Sequence, residues 1–450
     1  MFSEILEKFI EKCPTTVMVR LLLERLLDAE RLDRWFEANR QRQYTREILF
    51  SSLVGLMLQV VCRTRANVNE AHRHTDMGTS VVAVYDKLKG VEPGVSQGLL
   101  REIAADAQGL IAGVGGARPA LVPGYRVKYL DGNCLAGSEH RLKALRATTA
   151  GALPGKSLVV FDPALGLAID VFPCPDGHAQ ERALLGEVVP TIAAKDLWIA
   201  DRNFCVRAFL SAIRERQGSF LIRQHGSFST KPLAPMRLVG RAPSGAVYEQ
   251  DVEIADAAGR RWRLRRVSVK LTTPTRNGDT TLVVLTDLPR EVADAVAVVE
   301  LYRTRWRIET AFQKLERHIN AEICTLGYPQ AALFGFCLGL VAFNLYAVVM
   351  AALRAAHPST DIDAEVSEYY MAAEIATTFN GLDIAVPQVE WAQLVRTDPD
   401  HLCTLLREIA AQVDLKKLRK TPRGPKKPRT PRTKFKGKSH VSTAKLLNIR

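Results

Sequence analysis

The spacing of apolar residues predicts that the chain begins with a helical region. Hydrophobic side chains recur three and four positions apart through residues 15–36, 46–61 and 96–112, which is the period of one helix face. The segment 113–124 is rich in glycine and proline and marks a domain boundary. We therefore assign residues 1–118 to a helical N-terminal region.

After this boundary the pattern changes to short apolar runs bounded by Gly, Pro or Asp. Four of these runs have the length and composition of β-strands: 125–133, 156–163, 167–173 and 195–204. Helical patterns lie between and after them. Strands that alternate with helices predict a layered α/β domain, whose first part is residues 119–230.

Residues 231–287 interrupt the alternation, because strand-like runs follow one another there without a helix. We interpret them as a β insertion. Helical patterns return in residues 288–358, the second part of the α/β domain, and in residues 359–415, a helical C-terminal region. The uncharged run 331–353 is long enough to span a bilayer, but it stands alone and contains Asn344. We predict a buried core helix and no membrane association.

The charge of the chain is concentrated at its C-terminus. The formal net charge is +14, and residues 416–450 contain 14 Lys and Arg with no Asp or Glu. The rest of the chain is neutral, since its basic residues equal the 48 acidic ones. A Pro-rich basic tail, disordered when free, favours nucleic acid as a partner over anionic lipid. A tail that serves only solubility is the alternative.

Composition excludes several classes of protein. With 47% apolar and 24% charged residues, the chain can bury substantial cores and is not disordered as a whole. The eight cysteines are scattered without a CxxC pair, which argues against a zinc ribbon and a disulfide framework. Residues 1–13 are amphipathic and of mixed charge, unlike a signal peptide. We expect a reduced, cytoplasmic compartment.

Two acidic residues follow apolar strand patterns. Asp131 ends one run and precedes Gly132, and Asp201 ends the run 197–200. In open α/β sheets, ligands gather at the carboxyl ends of strands. For each Asp alone, a residue that only opens a turn is the alternative.

A third carboxylate lies in the Arg-rich and aromatic segment 302–319. On a helix that turns about 100° per residue, Arg305, Glu309 and Glu316 form one stripe bordering the apolar face. A helix packed on the sheet by that face brings Glu309 beside the strand ends. Spacing alone leaves open an exposed helix with a surface pair between Arg305 and Glu309.

Three segments, 129–133, 199–204 and 302–312, resemble motifs of the DDE transposases of bacterial insertion sequences. The resemblance covers roughly residues 120–350. It implies an RNase-H-like catalytic domain, of the retroviral-integrase type, with a β insertion and flanking helical regions. The N-terminal helical region would then bind DNA.

The last segment is similar to the Tyr-x2-Arg-x3-Glu-x6-Lys signature of the IS-four group. Tyr302, Arg305 and Glu309 match its first three positions. Glu316 stands at the lysine position, so the chain departs from the signature there. No residue at this position can take the role of that lysine.

The resemblance implies that Asp131, Asp201 and Glu309 are catalytic and bind two Mg²⁺ ions, for which Mn²⁺ can substitute. Hard oxygen ligands suit Mg²⁺. The implied reaction is cleavage of double-stranded DNA at the terminal inverted repeats, followed by strand transfer into target DNA by the freed 3′-hydroxyl. It also implies a homodimer in the synaptic complex and association with the bacterial nucleoid.

The predicted DNA contacts form two groups. One surrounds Glu309 and consists of Tyr302, Arg303, Arg305 and Arg307. The other lies in the insertion, where strand alternation puts Arg261, Arg263 and Arg265 on one face and Trp262 on the other. Basic residues beside an aromatic ring suit DNA and an extruded base. An exposed basic hairpin with a core Trp is the alternative.

Two further functions stay open on the sequence. One is an RNase-H-like nuclease that cuts DNA without strand transfer. The other is a catalytically inactive, DNA-binding relic of a transposase, which Glu316 favours slightly and the three acidic residues oppose.

Overall fold

A computed structural model of the 450-residue chain shows the fold. It describes residues 2–45, 47–135, 151–256, 259–275, 278–395, 398–421 and 440–448. The chain starts with helices α1 (Glu4–Lys12), α2 (Pro14–Leu26), α3 (Ala29–Asn39), α4 (Phe50–Val61), α5 (Val68–Arg73), α6 (Val81–Lys89) and α7 (Pro93–Val114). These helices cover the segments with helical periodicity.

A mixed sheet forms the centre of the protein. Its strands are β1 (Arg126–Leu135), β3 (Gly155–Asp162), β4 (Leu167–Cys174), β5 (Asp196–Ala200), β6 (Ser219–Arg223), β7 (Lys231–Pro232), β8 (Arg237–Ala242), β9 (Gly245–Ala255), β10 (Arg261–Leu271) and β11 (Thr281–Thr286). The short strand β2 (Gly151–Leu153) lies outside it. The order is β4-β3-β1-β5-β6-β11-β10-β9-β7, with β8 also beside β9. Strands β1, β5 and β6 are parallel, and the other neighbours are antiparallel.

The predicted β insertion, residues 231–287, extends this central sheet. Strand β11 pairs with β6, and β10, β9, β8 and β7 follow outward from it. The insertion therefore shares the backbone ladder of the α/β domain, a relation that the local sequence pattern does not reveal.

Helices cover both faces of the sheet. One face packs on α8 (Leu185–Val188), α9 (Arg207–Glu215) and flanking 3₁₀ turns. The other face shares one hydrophobic core with the N-terminal helices and with the later helices: α10 (Ala295–Arg303), α11 (Trp306–Arg317), α12 (Pro329–Ala356), α13 (Ile362–Glu365), α14 (Glu368–Ala385), α15 (Gln388–Val395) and α16 (Pro399–Ala411). The predicted helical regions at both ends thus share one hydrophobic core with the α/β domain.

Helix α12 is the central helix of this core. Within the described ranges it alone is long and apolar enough to cross a membrane, and 94% of its most apolar stretch is buried inside the protein. Its fully buried Asn344 accepts a hydrogen bond from Ala168 N (2.9 Å) and donates one to Ala168 O (2.8 Å). The prediction of a buried core helix is confirmed.

Both ends of the predicted basic tail lie against the folded protein. Leu418 is buried, and Lys420 N donates to Glu365 O (2.7 Å). Strand β12 (His440–Ser442) pairs in parallel with β2 and leads into α17 (Thr443–Leu446). The expectation of a disordered tail over all of 416–450 therefore differs from the structure at 416–421 and 440–448, and residues 422–439 lie outside the described ranges.

Replacing Asn344 by Leu should destabilise the protein. The substitution leaves the N–H and C=O of Ala168 buried without their partner, which costs roughly 2–4 kcal/mol. Urea unfolding, followed by circular dichroism, measures this change. Asn39→Ala, an exposed position, should shift the free energy of unfolding by no more than about 0.5 kcal/mol. Equal effects of the two substitutions would contradict the role assigned to Asn344.

Candidate active site

The register of β1 and β5 brings two of the predicted acidic residues together. The parallel ladder pairs Arg126 with Asp196 and ends with Leu130 opposite Ala200. Asp131 is the next residue on β1, and Asp201 is the residue that follows the end of β5. The two Asp residues therefore leave the ladder side by side. The sequence pattern suggested that Asp131 ends its strand. The structure differs, because β1 continues along β3 to Leu135.

A buried ion pair fixes this register. Lys128 Nζ lies 2.6 Å from Asp196 Oδ2, and both side chains are less than a tenth exposed. Asp196 also accepts a hydrogen bond from Ala193 N (2.8 Å). Breaking a buried pair leaves an uncompensated charge, so a slipped register of β1 on β5 is strongly disfavoured.

The segment that carries Glu309 is two helices and not the single helix expected from its period. Helix α10 ends at Arg303, and α11 begins at Trp306. Tyr129 on β1 donates a hydrogen bond to Thr304 Oγ1 (2.6 Å), which fastens the break between the helices to the sheet. Arg305 has helical backbone angles, so Tyr302, Arg305 and Glu309 still point toward one place.

Arg305 joins two of the carboxylates. Its Nη1 lies 2.9 Å from Asp131 Oδ2, and its Nη2 lies 2.5 Å from Glu309 Oε1. The exposed fractions of the three side chains are 8% for Arg305, 18% for Asp131 and 32% for Glu309. Glu309 thus forms the i,i+4 pair with Arg305 that the spacing allowed, but this Arg305 is buried and also binds Asp131, so Glu309 is joined to the sheet through Arg305.

The pKa of Asp131 reflects its burial and the charges around it. Burial raises the pKa of Asp131 to about 6; Arg305 opposes this rise, and the charges of Glu309 and Asp201 add to it. Burial also raises the pKa of Tyr302, whose hydroxyl group lies near Arg305 and Asp201. Burial works against the charge of Arg305, but its anionic neighbours raise its pKa overall.

The donor chemistry of this cluster suits Mg²⁺. It offers carboxylate oxygens only, which hard divalent cations prefer. In the ranges that the structure describes, no three acidic, His or Cys side chains stand close enough to hold a metal ion. Arg305 supplies the positive charge between Asp131 and Glu309 instead, so ion binding requires these side chains to rearrange around Arg305.

Around Arg305, an exposed surface carries further predicted contacts. Arg303 and Arg307 are exposed, and Arg303 pairs with Glu300 (2.8 Å). Trp306 is 62% exposed and lies beside the Arg305 guanidinium. Trp306 is not among the contacts predicted from the sequence, although it stands between two Arg residues there.

The signature lysine has no counterpart at its expected position. Glu316 is exposed, and the backbone carbonyl of this residue accepts a hydrogen bond from Arg63 (3.2 Å). Lys314 forms an ion pair with Glu368 at the start of α14 (2.5 Å). Lys314 therefore contributes to helix packing.

The structure does not bring the insertion residues to the carboxylates. Strand β10 lies four places from β1, and its first residues extend toward the opposite end of the sheet, since Arg265 is already level with Leu221 and Ile199. Arg261 and Arg263 are two-thirds exposed and pair with Glu253 and Asp251, in that order. These last two pairs join β10 to β9.

The other two insertion residues are partly or fully packed. Trp262 lies under the Arg214 guanidinium, 4.8 Å from the ring centre. Arg265 is buried, pairs with Glu249 (2.6 Å) and donates to the carbonyls of Leu288 and Ala293. These contacts favour a structural role for Arg265.

Other basic residues of the sheet lie at the carboxylate end, and the sequence analysis missed them. Arg223 ends β6 and pairs with Asp279 (2.8 Å). Lys270 and Arg241 are both exposed and flank Ala246 in the ladder, at the same end of the sheet. No local sequence signal distinguishes them, because the strand register alone decides which end of β10 faces the site.

Two comparisons relate the chain to known transposases. Residues 148–345 match the family model described as a transposase DDE domain. That segment includes Asp201 and Glu309 and begins after Asp131. The chain is also 25% identical over 164 residues to a protein of Sinorhizobium fredii named "Putative transposase y4zB". This similarity spans 35% of the chain and 45% of the relative. Together the matches support a DDE transposase.

Removing the shared counter-ion should destabilise the metal-free protein. Arg305→Gln leaves Asp131 and Glu309 without compensation, and we expect a loss of about 2–4 kcal/mol, below the usual cost for a fully buried pair because Glu309 is partly exposed. Urea unfolding in chelator measures this loss.

Added Mg²⁺ should raise the melting temperature of Arg305→Gln more than that of the wild type. The matched control is Arg303→Gln, two residues away and exposed, which should behave as wild type. If both variants unfold alike with and without Mg²⁺, the bridge through Arg305 does not stabilise the site.

Proposed function

We propose that the protein is a DNA transposase that cleaves transposon ends and joins the freed 3′-hydroxyl to target DNA. The observation that carries this proposal is that Arg305 joins Asp131 and Glu309 at the end of the parallel strand pair where Asp201 also follows its strand. The family match and the similarity to a transposase support it.

The strand order supports an RNase-H-like catalytic domain. Three antiparallel strands, β4, β3 and β1, are followed by β5 and β6, which run parallel to β1. The first acidic residue lies on the central strand and the second at the end of its parallel neighbour. The third comes from a helix packed on one face, and this arrangement suits phosphoryl transfer on a nucleic acid backbone.

Asp131, Asp201 and Glu309 would hold two Mg²⁺ ions, which activate the attacking oxygen and stabilise the leaving oxygen when bound. The backbone N–H of the following residue donates a hydrogen bond to two of these carboxylates. Gly132 N donates to Asp131 Oδ1 (2.9 Å), and Arg202 N donates to Asp201 Oδ1 (2.6 Å). One oxygen of each Asp is thereby oriented before substrate arrives.

In this proposal Arg305 also binds the DNA backbone. Its guanidinium faces the carboxylates, and Tyr302 packs beside it, which limits the positions that the guanidinium can take. Arg has planar donors that match phosphate oxygens. Arg303, Arg307 and Trp306 form the exposed surface next to it, where backbone contacts and stacking on a base are both accessible.

On the sheet side, we propose Arg223, Arg241 and Lys270 as the DNA contacts of the insertion. They lie at the carboxylate end, whereas Arg261, Trp262 and Arg263 extend away from it. A homodimer in the synaptic complex and activity at the nucleoid accompany the proposal as expectations of the resemblance.

Removing any one carboxylate should abolish cleavage. Asp131→Asn, Asp201→Asn and Glu309→Gln each remove a charge needed for two-ion catalysis, which is worth several kcal/mol of transition-state stabilisation. Cleavage of a duplex carrying the element's end should fall at least about 1000-fold, while binding of that duplex stays within a few-fold of wild type.

Glu316→Gln, at an exposed position of the same helix, serves as the control and should cleave normally. A second assay offers a pre-cut end with a free 3′-hydroxyl and a target plasmid. Joined products support a transposase, whereas cutting without joining would replace the proposal with a nuclease. Full cleavage by any of the three carboxylate variants would remove that residue from the site.

The basic C-terminal segment should supply affinity that does not depend on sequence. We propose a variant with six cations replaced by Gln: Lys426, Lys427, Arg429, Arg432, Lys434 and Lys436. It leaves 416–421 and 440–448 intact. Each phosphate that the variant no longer neutralises should reduce the slope of log affinity against log salt by about 0.9, or by roughly five in total.

Fluorescence anisotropy at several salt concentrations, on cognate and scrambled duplexes, measures this slope. A variant with residues 422–439 in shuffled order keeps the charge and should keep the slope. An unchanged slope in the Gln variant, or loss of cognate preference alone, would show that the segment is not an electrostatic anchor.

A further inference from the structure

Glu181 contacts both strand exits that carry the paired Asp residues, and the proposed mechanism does not use it. It opens the 3₁₀ turn Glu181–Leu184, which lies between β4 and α8. Glu181 Oε2 accepts a hydrogen bond from the Asn203 side chain (2.5 Å). Asn203 follows Asp201 by two residues.

The other oxygen of Glu181 lies against β1. A Cβ atom built on Gly132 would overlap Glu181 Oε1, and the three heavy atoms nearest to it all belong to Glu181. The carboxylate therefore occupies the space that any larger residue at 132 would need. Gly132 is the residue directly after Asp131.

Strand alternation places Glu181 behind the site. Tyr129 and Ile199 belong to the core on the side of α12, and their i+2 neighbours Asp131 and Asp201 point to that same side. Gly132 points to the opposite side, where Glu181 lies. Glu181 thus braces the two strand exits from behind the sheet and does not join the carboxylates in front of it.

The turn that presents Glu181 is itself anchored. Lys156, a largely buried residue of β3, donates a hydrogen bond from its ammonium group to the carbonyl of Ala179. Asp176 Oδ1 accepts from His178 N (3.0 Å) and from Ser442 Oγ (2.5 Å). The loop after β4, which lies two strands from β1, therefore holds Glu181 in place.

A brace is needed at this point because the backbone ladder ends there. The last paired residues of β1 and β5 are Leu130 and Ala200, and the next residues on both strands are anionic. Two like charges side by side repel each other. No ladder bond between β1 and β5 opposes that repulsion beyond Leu130 within the described strands.

We propose that Glu181 is a positioning residue that fixes the separation of Asp131 and Asp201 by contacting Gly132 and Asn203. This inference rests on the proposed function, in which the two Asp residues bind divalent cations. It assigns to Gly132 the role of leaving room for the Glu181 carboxylate.

A double-mutant cycle tests the contact with Gly132. In full-length protein, Mn²⁺ binding measured by electron paramagnetic resonance should weaken about 10–100-fold in Glu181→Ala, as for residues that orient metal ligands. Gly132→Ala displaces the flexible end of Glu181 and should weaken binding similarly. In the Glu181→Ala background, Gly132→Ala should cost less than about twofold more, since nothing is left to displace.

The conservative variant separates positioning from metal ligation. Glu181→Gln keeps an oxygen that accepts from Asn203, so it should bind Mn²⁺ within about threefold of wild type. If Gln weakens binding as much as Ala, the charge of Glu181 is what matters and the positioning role is overturned. Glu187→Gln, exposed on the neighbouring helix, is the matched control and should equal wild type.

A metal-free measurement keeps this inference separate from the proposed function. Hydrogen–deuterium exchange in chelator should speed up about tenfold at the amides of Gly132 and Arg202 in Glu181→Ala, because a charge-assisted hydrogen bond is lost. Unchanged exchange overturns the brace even if the wild type cuts DNA. Faster exchange in a wild type that neither binds Mn²⁺ nor cuts DNA supports the brace and refutes the proposed function.

Discussion

The parallel register of β1 on β5 is the constraint on which the rest of the site depends. A shift of one residue would turn every side chain of β1 to the other face, and Asp131 would then point away from Asp201. The buried pair between Lys128 and Asp196 opposes such a shift, because either charge alone in that interior is costly. The buried ion pair therefore fixes the register, and the register fixes the positions of the two Asp carboxylates.

Arg305 provides the positive charge that keeps Asp131 and Glu309 together in a partly buried site. It forms ion pairs with both Asp131 and Glu309, and a guanidinium is also well suited to binding a phosphate. In the proposed function, the same residue stabilises the fold before DNA binds and contacts the DNA afterwards. The break between α10 and α11 makes this possible, since Thr304 is tied to Tyr129 on the sheet.

In the insertion, strand pairing decides which basic residues lie at the carboxylate end of the sheet, and the local sequence motif does not. Arg261, Trp262 and Arg263 have the composition of a DNA-binding strand, yet their end of β10 points away from the carboxylates. Lys270 lies at the other end of the same strand, which is the end of the sheet that carries the carboxylates, and no local sequence motif marks it. The difference follows from the antiparallel pairing of β10 with β11 and of β11 with β6.

The sequence by itself determined most of the helical and strand segments, the buried helix around Asn344, and the three acidic residues proposed for catalysis. These follow from apolar periodicity and from short motifs, which are local properties of the chain. Only the tertiary structure decided the register of β1 on β5, the bridge through Arg305, the orientation of β10 and the placement of Glu181 behind Gly132. Each of these joins residues far apart in sequence, and the backbone hydrogen bonds that set them form between groups that every residue carries.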